Sequence, residues 1–320
     1  MRPPPPDPDN TDTPPLVAIT GAGGFLGRHL VEAFRARGWR VRALARSRRL
    51  PEWDEGGVEV VSGDLGDAPA LADLVRGADA VIHGAGLVKA LSRAEFFAIN
   101  RDGTTAVASA TGPNSQFVLI SSLAAREPHL SHYAASKAAA EEAAHELIPR
   151  ERLTVVRPPV IYGPHDRETL IFFRMARWPL APVLGTGRER FAMIEVSDAA
   201  AAIATLTERK VSGTYALSDE RPEGYSMAEI VEIASAASGN QARTLMINPS
   251  RLSWAGYVGS SLSFLSRRAV MLSPGKMREI VHGAWGLAQD EVFADPSLHP
   301  VTLREGFART AAWYRTAGWL

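Results

Sequence analysis

A glycine-rich turn between an apolar run and a helical pattern constrains the fold of this chain more than any other feature. The turn, TGAGGFLG at residues 20–27, directly follows the strand-like run LVAI at residues 16–19. Apolar residues then recur at the spacing of one helix face, at Leu26, Leu30, Val31 and Phe34. A strand, a glycine turn and a helix in this order form the context that a dinucleotide-binding loop needs.

Each glycine of the turn has a separate physical reason. Gly21 allows a tight turn, and Gly24 lets backbone N–H groups approach a pyrophosphate at the positive end of the helix. Gly27 allows the helix and the strand to pack closely. The loop residues that we expect to contact the cofactor are Gly21, Gly23, Gly24, Phe25, Leu26 and Gly27.

A second set of residues indicates chemistry at the end of a later strand. The run QFVLI at residues 116–120 predicts a buried strand that ends at the serine pair 121–122. In the Ala-rich segment 131–147, which predicts a helix, Tyr133 and Lys137 are four residues apart and therefore share a face. Because ligands on open α/β sheets bind beyond the carboxyl ends of the strands, we expect these side chains to meet at one site.

In this arrangement the chain resembles the extended branch of the short-chain dehydrogenase/reductase superfamily, whose members are similar to NAD-dependent epimerases and dehydratases. That branch carries TGxxGxxG, matched at residues 20–27, and YxxxK, matched from Tyr133 to Lys137. Further matches follow in chain order: GDL at 63–65, HGAG at 83–86 where the family has HxAA, NRDGT at 100–104, RPPVIYGP at 157–164 and a V-x-D signature ending at Asp198.

The resemblance implies that Tyr133 is the acid/base in hydride transfer between a nicotinamide and a carbinol or carbonyl carbon. A free phenol has a pKa of about 10, which is too high for a base at neutral pH. The positive charges of Lys137 and of the oxidised nicotinamide are therefore expected to lower the pKa of Tyr133. Lys137 would also hold the nicotinamide ribose, and Ser122 would donate to the reacting oxygen. Ser121 is expected to satisfy backbone groups, and Asn100 to shape the site from its helix.

The resemblance also assigns residues to the rest of the cofactor. The acidic turn formed by Asp64 and Leu65 is expected to contact the adenine. The remaining positions implied by the family's motifs are His83, Ala85, Pro158 and Val160, of which the last two lie where the family's backbone meets the nicotinamide amide.

The end of the second predicted strand indicates which cofactor the chain prefers. NAD-specific sites usually place an acidic residue there, which accepts from the ribose 2′-hydroxyl. This chain has Ala45 at that position, followed by Arg46 and Ser47. A guanidinium beside a hydroxyl suits a 2′-phosphate, so the sequence predicts NADP(H) in preference to NAD.

Strand-like and helical patterns alternate from residue 16 to residue 157, which predicts an α/β fold with a doubly wound parallel (Rossmann) sheet. The predicted strands are 16–20, 40–45, 58–61, 79–83, 116–121 and 152–157. We expect residues 16–164, together with about 191–210, to form the dinucleotide-binding domain. Residues about 165–190 and 215–320 are expected, by the resemblance, to form a smaller and mostly helical substrate-binding cap.

Composition excludes several classes of protein. The 35 basic and 35 acidic residues balance, which argues against a nucleic-acid partner, and the absence of cysteine excludes disulfides and thiolate chemistry. The eight histidines show no metal-ligand spacing. No apolar run approaches the roughly 18 residues of a membrane span. The Pro- and Asp-rich residues 1–15 lack a signal-peptide core and predict a disordered tail. We expect a cytoplasmic protein and leave a homodimer open.

Segment 251–272 combines aromatic and aliphatic residues, among them Trp254, Tyr257 and Phe264, with serines and arginines. Three interpretations stay open: packing in the core, an apolar wall for the substrate, and an amphipathic helix that contacts a membrane or a partner. The cap is expected to close over the nicotinamide, with this segment supplying part of an apolar wall.

These observations predict an NADP(H)-dependent oxidoreductase that interconverts a secondary alcohol and a carbonyl on a small molecule. One alternative is a nucleotide-sugar epimerase with tightly bound NAD, because residues 185–191 resemble a stretch of such enzymes. Another is a non-catalytic NADP(H)-binding subunit, against which the intact Ser122, Tyr133 and Lys137 count. Dehydration is not expected, because Leu123-Ala124 stands where sugar dehydratases place an Asp-Glu pair.

Overall fold

The computed structural model describes residues 13–46, 53, 57–247 and 274–320. The strands are β1 (Leu16–Thr20), β2 (Arg40–Ala45), β3 (Glu59–Ser62), β4 (Ala80–His83), β5 (Gln116–Ile120), β6 (Leu153–Arg157), β7 (Val160–Tyr162), β8 (Leu180–Leu184), β9 (Arg190–Phe191), β10 (Met193–Glu195), β11 (Gly213–Ala216), β12 (Arg243–Ile247) and β13 (Ala284–Trp285). The helices are α1 (Phe25–Ala36), α2 (Ala68–Val75), α3 (Arg93–Phe97), α4 (Gly103–Ala110), α5 (His132–Leu147), α6 (Leu170–Met175), α7 (Val196–Glu208), α8 (Met227–Ala237), α9 (Pro274–His282) and α10 (Leu303–Thr316).

Seven parallel strands form one sheet in the order β11-β6-β5-β4-β1-β2-β3. Six of these strands lie within one residue of the predicted ones, and the predicted doubly wound α/β fold is confirmed. The seventh, β11, pairs with β6 and was not predicted. The sheet therefore continues through Ala216, and the predicted start of the cap at about residue 215 falls inside a strand.

Helices cover both faces of the sheet, as the uninterrupted apolar runs require. All five residues of β1 are buried, and alternate ones face opposite layers. Ile19 packs with Leu30 and Phe34 of α1 on one face, where α7 also lies. Leu16 and Ala18 pack on the other face, in the layer built from α2, α4 and α5.

The strand order reverses at β1, which lies between β2 and β4. In open α/β sheets this reversal opens a crevice beyond the carboxyl ends of the strands, and ligands bind there. The glycine turn follows β1 directly, and the serine pair follows β5. The topology therefore brings the two sets of residues singled out in the sequence to the same edge of the sheet.

The cap contains short parallel strand pairs as well as helices. β8 pairs with β12 and β9 pairs with β13, while β7 and β10 form a further pair next to the main sheet. The aromatic residues of the cap pack together, with Phe307 of α10 lying 4.9 Å, ring centroid to centroid, from both Tyr162 and Phe173.

Several predictions lie outside the described residues: the tail up to residue 12, the role of Ser47 and the three interpretations of segment 251–272. Among the described helices, none combines the length and apolar character that crossing a bilayer requires. Within the same part of the chain, no group of three or more His, Asp or Glu side chains is placed to hold a metal ion.

Candidate active site

The glycine turn is held by backbone contacts that exclude larger residues. Gly21 has a φ of +75°, in the left-handed region that favours glycine. A Cβ on Gly21 would lie 2.7 Å from the backbone nitrogen of Ala85, so the turns after β1 and β4 touch. A Cβ on Gly27 would lie 2.0 Å from the carbonyl oxygen of Gly21. Helix α1 therefore packs directly against the turn only because Gly27 lacks a side chain.

The start of α1 fits a pyrophosphate. Gly24 precedes the helix in an extended conformation and, as a glycine, offers no side chain to bond the first N–H groups. Gly23 is exposed, and a Cβ built on it meets no described atom within 4 Å. Phe25 and Leu26 are half-buried at the first helical positions. An open helix N-terminus beside a glycine turn presents N–H donors and a positive dipole end to an anion.

Thr20 and His83 tie the ends of β1 and β4 together. Thr20 Oγ1 lies 2.7 Å from His83 Nδ1 and accepts the N–H of Ala85 at 3.2 Å. Burial, together with the nearby charge of Lys137, lowers the pKa of His83 to about 3, so the imidazole is neutral. Because the side chain is buried, His83 can serve a cofactor only by positioning the turn that follows it.

Helix α5 begins at His132 because Ser131 caps it. Ser131 Oγ accepts the N–H of Ala134 at 2.9 Å, which fixes the first turn of the helix. Tyr133 stands in that first turn, and Lys137 follows one turn later on the same face.

Ser122 and Tyr133 are hydrogen-bonded to each other. Ser122 is half-buried at the end of β5, where its Oγ also accepts the N–H of Ala124 at 3.2 Å. Tyr133 is half-buried too, and its ring lies 6.0 Å from that of Phe96, centroid to centroid. The arrangement brings two side-chain hydroxyl groups together just beyond the end of β5.

The electrostatics of Tyr133 differ from the expectation. Burial raises the pKa of Tyr133 to about 12, the hydrogen bond with Ser122 opposes this rise, and the charge of Glu279 adds to it. Without the nucleotide, the pKa of Tyr133 is thus raised rather than lowered, with desolvation of the phenolate as the largest cause. At neutral pH the phenol is protonated and can donate its proton.

Lys137 is buried, and its ammonium donates to the carbonyl oxygen of Ile120 at 2.8 Å. Burial lowers its pKa to about 8, and the carboxylate of Glu141 opposes that shift. The side chain is thus charged at neutral pH and close to its titration point. A Cβ on Gly86 would lie 3.4 Å from Nζ, so the turn after β4 passes close to the ammonium.

Glu141, one turn after Lys137 on α5, is a buried carboxylate that was not predicted from the sequence. Glu141 accepts from Ser121 Oγ and from Arg157, whose Nε lies 2.9 Å from Oε1. The expectation that Ser121 satisfies backbone groups is corrected, because its hydroxyl donates to this carboxylate instead. Glu141 follows Lys137 by four residues on the same helix face, and this spacing was the signal that could have revealed it.

Asn100 lies in a π-helical turn, Ala98–Asp102, between α3 and α4. Its Oδ1 accepts the N–H of Leu87 at 2.7 Å, and its Nδ2 donates to Ser136 Oγ at 2.8 Å and to the Leu87 carbonyl at 3.1 Å. The amide therefore joins the loop after β4 to α5, one residue before Lys137. Single π-helical turns of this kind are frequent at functional sites.

The residues predicted at the adenosine end lie at the carboxyl ends of β2 and β3. Arg46 follows β2 and is exposed, and the Gly63 N–H donates to the carbonyl of Ala45 at 3.1 Å. Asp64 is exposed, and its Oδ1 accepts the N–H of Gly66 at 2.8 Å. Leu65 is half-buried and packs on the start of α4. Their positions suit a ribose phosphate and an adenine.

Pro158 and Val160 form a bend after β6 that runs beside the end of β5. The carbonyl of Pro158 accepts the N–H of Leu123 at 2.9 Å, and the Val160 N–H donates to Ala192 at 3.3 Å. The bend is therefore fixed next to Ser122, where the family resemblance places the nicotinamide amide.

The cap contacts the start of α5 through α9. The buried carboxylate of Glu279 accepts from Ser131 Oγ and pairs with Lys276 at 3.1 Å. Arg278 Nε donates to the carbonyl of Leu130 at 2.7 Å. These bonds place an element of the cap directly beside Tyr133.

Comparison with known proteins places these motifs in a wider context. The model of the NAD dependent epimerase/dehydratase family matches residues 17–217. The protein named ceramide reductase from Caulobacter vibrioides (strain NA1000 / CB15N) is 44% identical over 313 residues, which cover 97% of this chain and 98% of that protein.

Solved structures share the fold at low sequence identity. The crystal structure of gox2253 superimposes with a TM-score of 0.77 at 20% identity, covering 96% of this chain and 100% of that one. The structure of MoeE5 in complex with UDP-glucose and NAD has a TM-score of 0.68 at 23% identity and covers 95% of this chain and 99% of that one.

Proposed function

Since this chain belongs to the NAD dependent epimerase/dehydratase family, we propose that it is an NADP(H)-dependent reductase that converts a lipid-like ketone into a secondary alcohol. The chain is an enzyme of the oxidoreductase and epimerase type that uses a nicotinamide cofactor. The observation that carries the finer proposal is the grouping of Ser122, Tyr133 and Lys137 at the carboxyl edge of the sheet.

The proposed chemistry divides between cofactor and protein. The bound nicotinamide supplies a hydride to the carbonyl carbon. Ser122 donates a hydrogen bond to the carbonyl oxygen, and Tyr133 transfers its hydroxyl proton to that oxygen as negative charge develops there. Lys137 stabilises the phenolate that remains and holds the ribose hydroxyls. A Tyr133 pKa of about 12 suits this direction, because the proton is in place before reduction begins.

The cofactor would lie across the crevice at β1. Gly21, Gly24 and Gly27 would let the backbone approach the pyrophosphate at the start of α1. The tight backbone packing around these three residues, which leaves little space for a side chain, supports this. Arg46 is exposed at the end of β2, where the preceding residue is Ala45 rather than an acid. An arginine directly after β2, where NAD-specific sites usually place an acid, favours a 2′-phosphate and thus NADP(H).

The substrate class is proposed from the relative that matches nearly the whole chain. A ceramide carries a secondary alcohol on its long-chain base, so a reductase of that class would act on the corresponding ketone. The chain has Leu123 and Ala124 after Ser122, both buried, and therefore lacks the acidic pair that a sugar dehydratase needs. The dinucleotide-binding part would comprise residues 16–164 and 191–216, and the rest of the described chain would form the cap.

One assay separates this proposal from its two alternatives. Purified protein is incubated with NADPH or NADH and with a long-chain β-keto amide, a short water-soluble ketone or UDP-glucose. We expect oxidation of NADPH with both ketones, faster with the long one, and no change to UDP-glucose. Conversion of a UDP-sugar without net NADPH consumption would establish the epimerase instead. Tight NADPH binding without turnover of any compound would support a non-catalytic subunit.

A further inference from the structure

The cap exposes a group of large apolar side chains together with arginines. Ile171 lies on α6, and Trp178 and Leu180 follow it, with 37%, 56% and 51% of their surfaces exposed. Arg174 and Arg177 are exposed between them. We call this surface, together with Arg243 and Leu245 of β12, the cap patch.

The strand pair β8/β12 extends the patch as one continuous face. Leu180 is in register with Arg243, and Pro182 with Leu245, so these four side chains share a face of the pair. The opposite face carries Ala181 and Val183, which are fully buried against Val231 of α8. A strand pair with one face in solvent usually carries polar residues on that face. Here Leu180 and Leu245 lie on the exposed face, so apolar residues occupy both faces.

The charges of the patch have one sign. Residues 169–184 and 241–247, which build it, contain three arginines and neither aspartate nor glutamate. In the chain as a whole, acidic and basic residues are equal in number, so this local excess is a property of the patch. Exposed tryptophan and leucine beside arginine suit the interface of a bilayer with anionic headgroups, where rings enter the headgroup layer and guanidinium groups meet phosphate.

The patch lies next to the loop that borders the catalytic residues. Lys89 Nζ pairs with Glu168 at 2.6 Å, two residues before α6 begins, and thereby joins the loop after β4 to the patch. The same loop is bonded to Asn100 through the backbone of Leu87. Val88 and Leu91 of this loop are also exposed, at 62% and 58%. Exposed apolar side chains therefore occur both on the patch and on the loop that is bonded to Asn100.

We propose that the cap patch binds the surface of a bilayer that carries anionic headgroups, so that a lipid-like ketone reaches the site from the membrane. The choice of a lipid as cargo rests on the proposed function, whereas the binding surface itself rests on the exposed side chains and their charge. Binding would be peripheral and reversible, since a few side chains enter the interface and no helix inserts.

The binding test uses the full chain with NADPH and sedimentation with vesicles. Vesicles of phosphatidylcholine alone are compared with vesicles containing phosphatidylglycerol. We expect binding to the anionic vesicles only, and a roughly 25-fold weaker partition for Arg174→Ser/Arg177→Ser, about fivefold per arginine near an anionic surface. Trp178→Ser should weaken binding at least tenfold. The matched control is Leu147→Ser/Arg150→Ser, two exposed positions at the opposite edge of the sheet, which should bind like the wild type.

Three results would overturn the proposal: no binding to anionic vesicles, equal binding by all variants, or a loss of self-association in Trp178→Ser that shows the patch to be a protein interface. Turnover of the short water-soluble ketone should be unchanged in every variant, and turnover of the long ketone in vesicles should fall with binding. If vesicles bind normally but neither ketone is reduced, the proposed function fails and the membrane surface stands. If the ketones are reduced but the protein does not bind vesicles, the proposed function stands and the membrane surface fails.

Discussion

The proposed proton transfer depends on the hydroxyl group of Tyr133. This hydroxyl can be removed without removing the ring. The ring packs near Phe96, so removing only the oxygen preserves the packing. We expect Tyr133→Phe to lower kcat by at least about 100-fold, the scale of a lost general acid, with nearly unchanged NADPH affinity. Steady-state kinetics and a cofactor titration measure both. Tyr215→Phe, which removes a surface hydroxyl bonded to Ser212, is the control. A fully active Tyr133→Phe variant would refute the assigned role.

Arg46 tests the choice of cofactor. If its guanidinium contacts a 2′-phosphate, Arg46→Ala should weaken NADPH binding by about 1.5–3 kcal/mol, the range for a hydrogen bond to a charged group, and leave NADH unaffected. Isothermal titration with both nucleotides measures the difference. Arg40→Ala, at the other end of β2 and equally exposed, should change neither affinity. Equal weakening of both nucleotides, or a wild type that prefers NADH, would favour the NAD-dependent alternative.

Substitution of Glu141 tests how its carboxylate affects the pKa of Lys137. The Lys137 pKa is about 8, so the charged form, and with it the reductase activity, should be lost as the pH rises through about 8. The Glu141 carboxylate raises that pKa, so Glu141→Gln should move the descending limb of the kcat/KM profile to lower pH. A merely structural role would lower activity at every pH alike. Glu142→Gln, the exposed neighbour, should leave the limb in place.

The sequence predicted the grouping of Ser122 with Tyr133 and Lys137 because motif order and helix spacing both constrain it. Glu141 was missed, although it has the same spacing, because a glutamate on a helix is usually exposed and only tertiary packing buries this one. The raised pKa of Tyr133 was also beyond sequence reasoning, since desolvation depends on elements far apart in the chain.

At the scale of the element, the turn before α1 gives a matched pair of glycine substitutions. Gly27→Ala places a Cβ 2.0 Å from the Gly21 carbonyl, so the helix must shift. We expect a loss of about 1–3 kcal/mol in the free energy of unfolding, as for other overpacked sites, with weakened cofactor binding. Gly23→Ala adds a Cβ in open space and should leave the unfolding free energy nearly unchanged. Chemical denaturation measures both, and equal stability of the two variants would contradict the close packing.

Among the strands that the sequence predicted, β1, β4 and β5 are buried at every residue, where a continuous apolar run is required. β11 was missed because its sequence, GTYA, has no aliphatic run, whereas β3, an edge strand of the same length, carries Val60 and Val61. The pairing of β9 with β13 could not be predicted, because each has only two residues, too few to show a period.

At the scale of the whole molecule, Phe307 packs α10 against β7 and α6. Its ring is fully buried and contacts Tyr162 of β7 and Phe173 of α6. We expect Phe307→Ala to lower the free energy of unfolding by about 3–5 kcal/mol, as for other buried aromatic truncations. Leu147→Ala, at a 43% exposed position, should have little effect. A stability near that of the wild type would contradict this role of Phe307 in the packing.

The cap leaves the sheet at one edge only. The chain departs after β6 and again after β11, both at carboxyl ends, and α7 is the return between them. Insertions or deletions in either excursion therefore change the chain beside the substrate without shifting a strand register or the glycine turn. A lineage with this architecture can exchange one substrate for another through mutation of two excursions, while it inherits its cofactor and its proton donor intact.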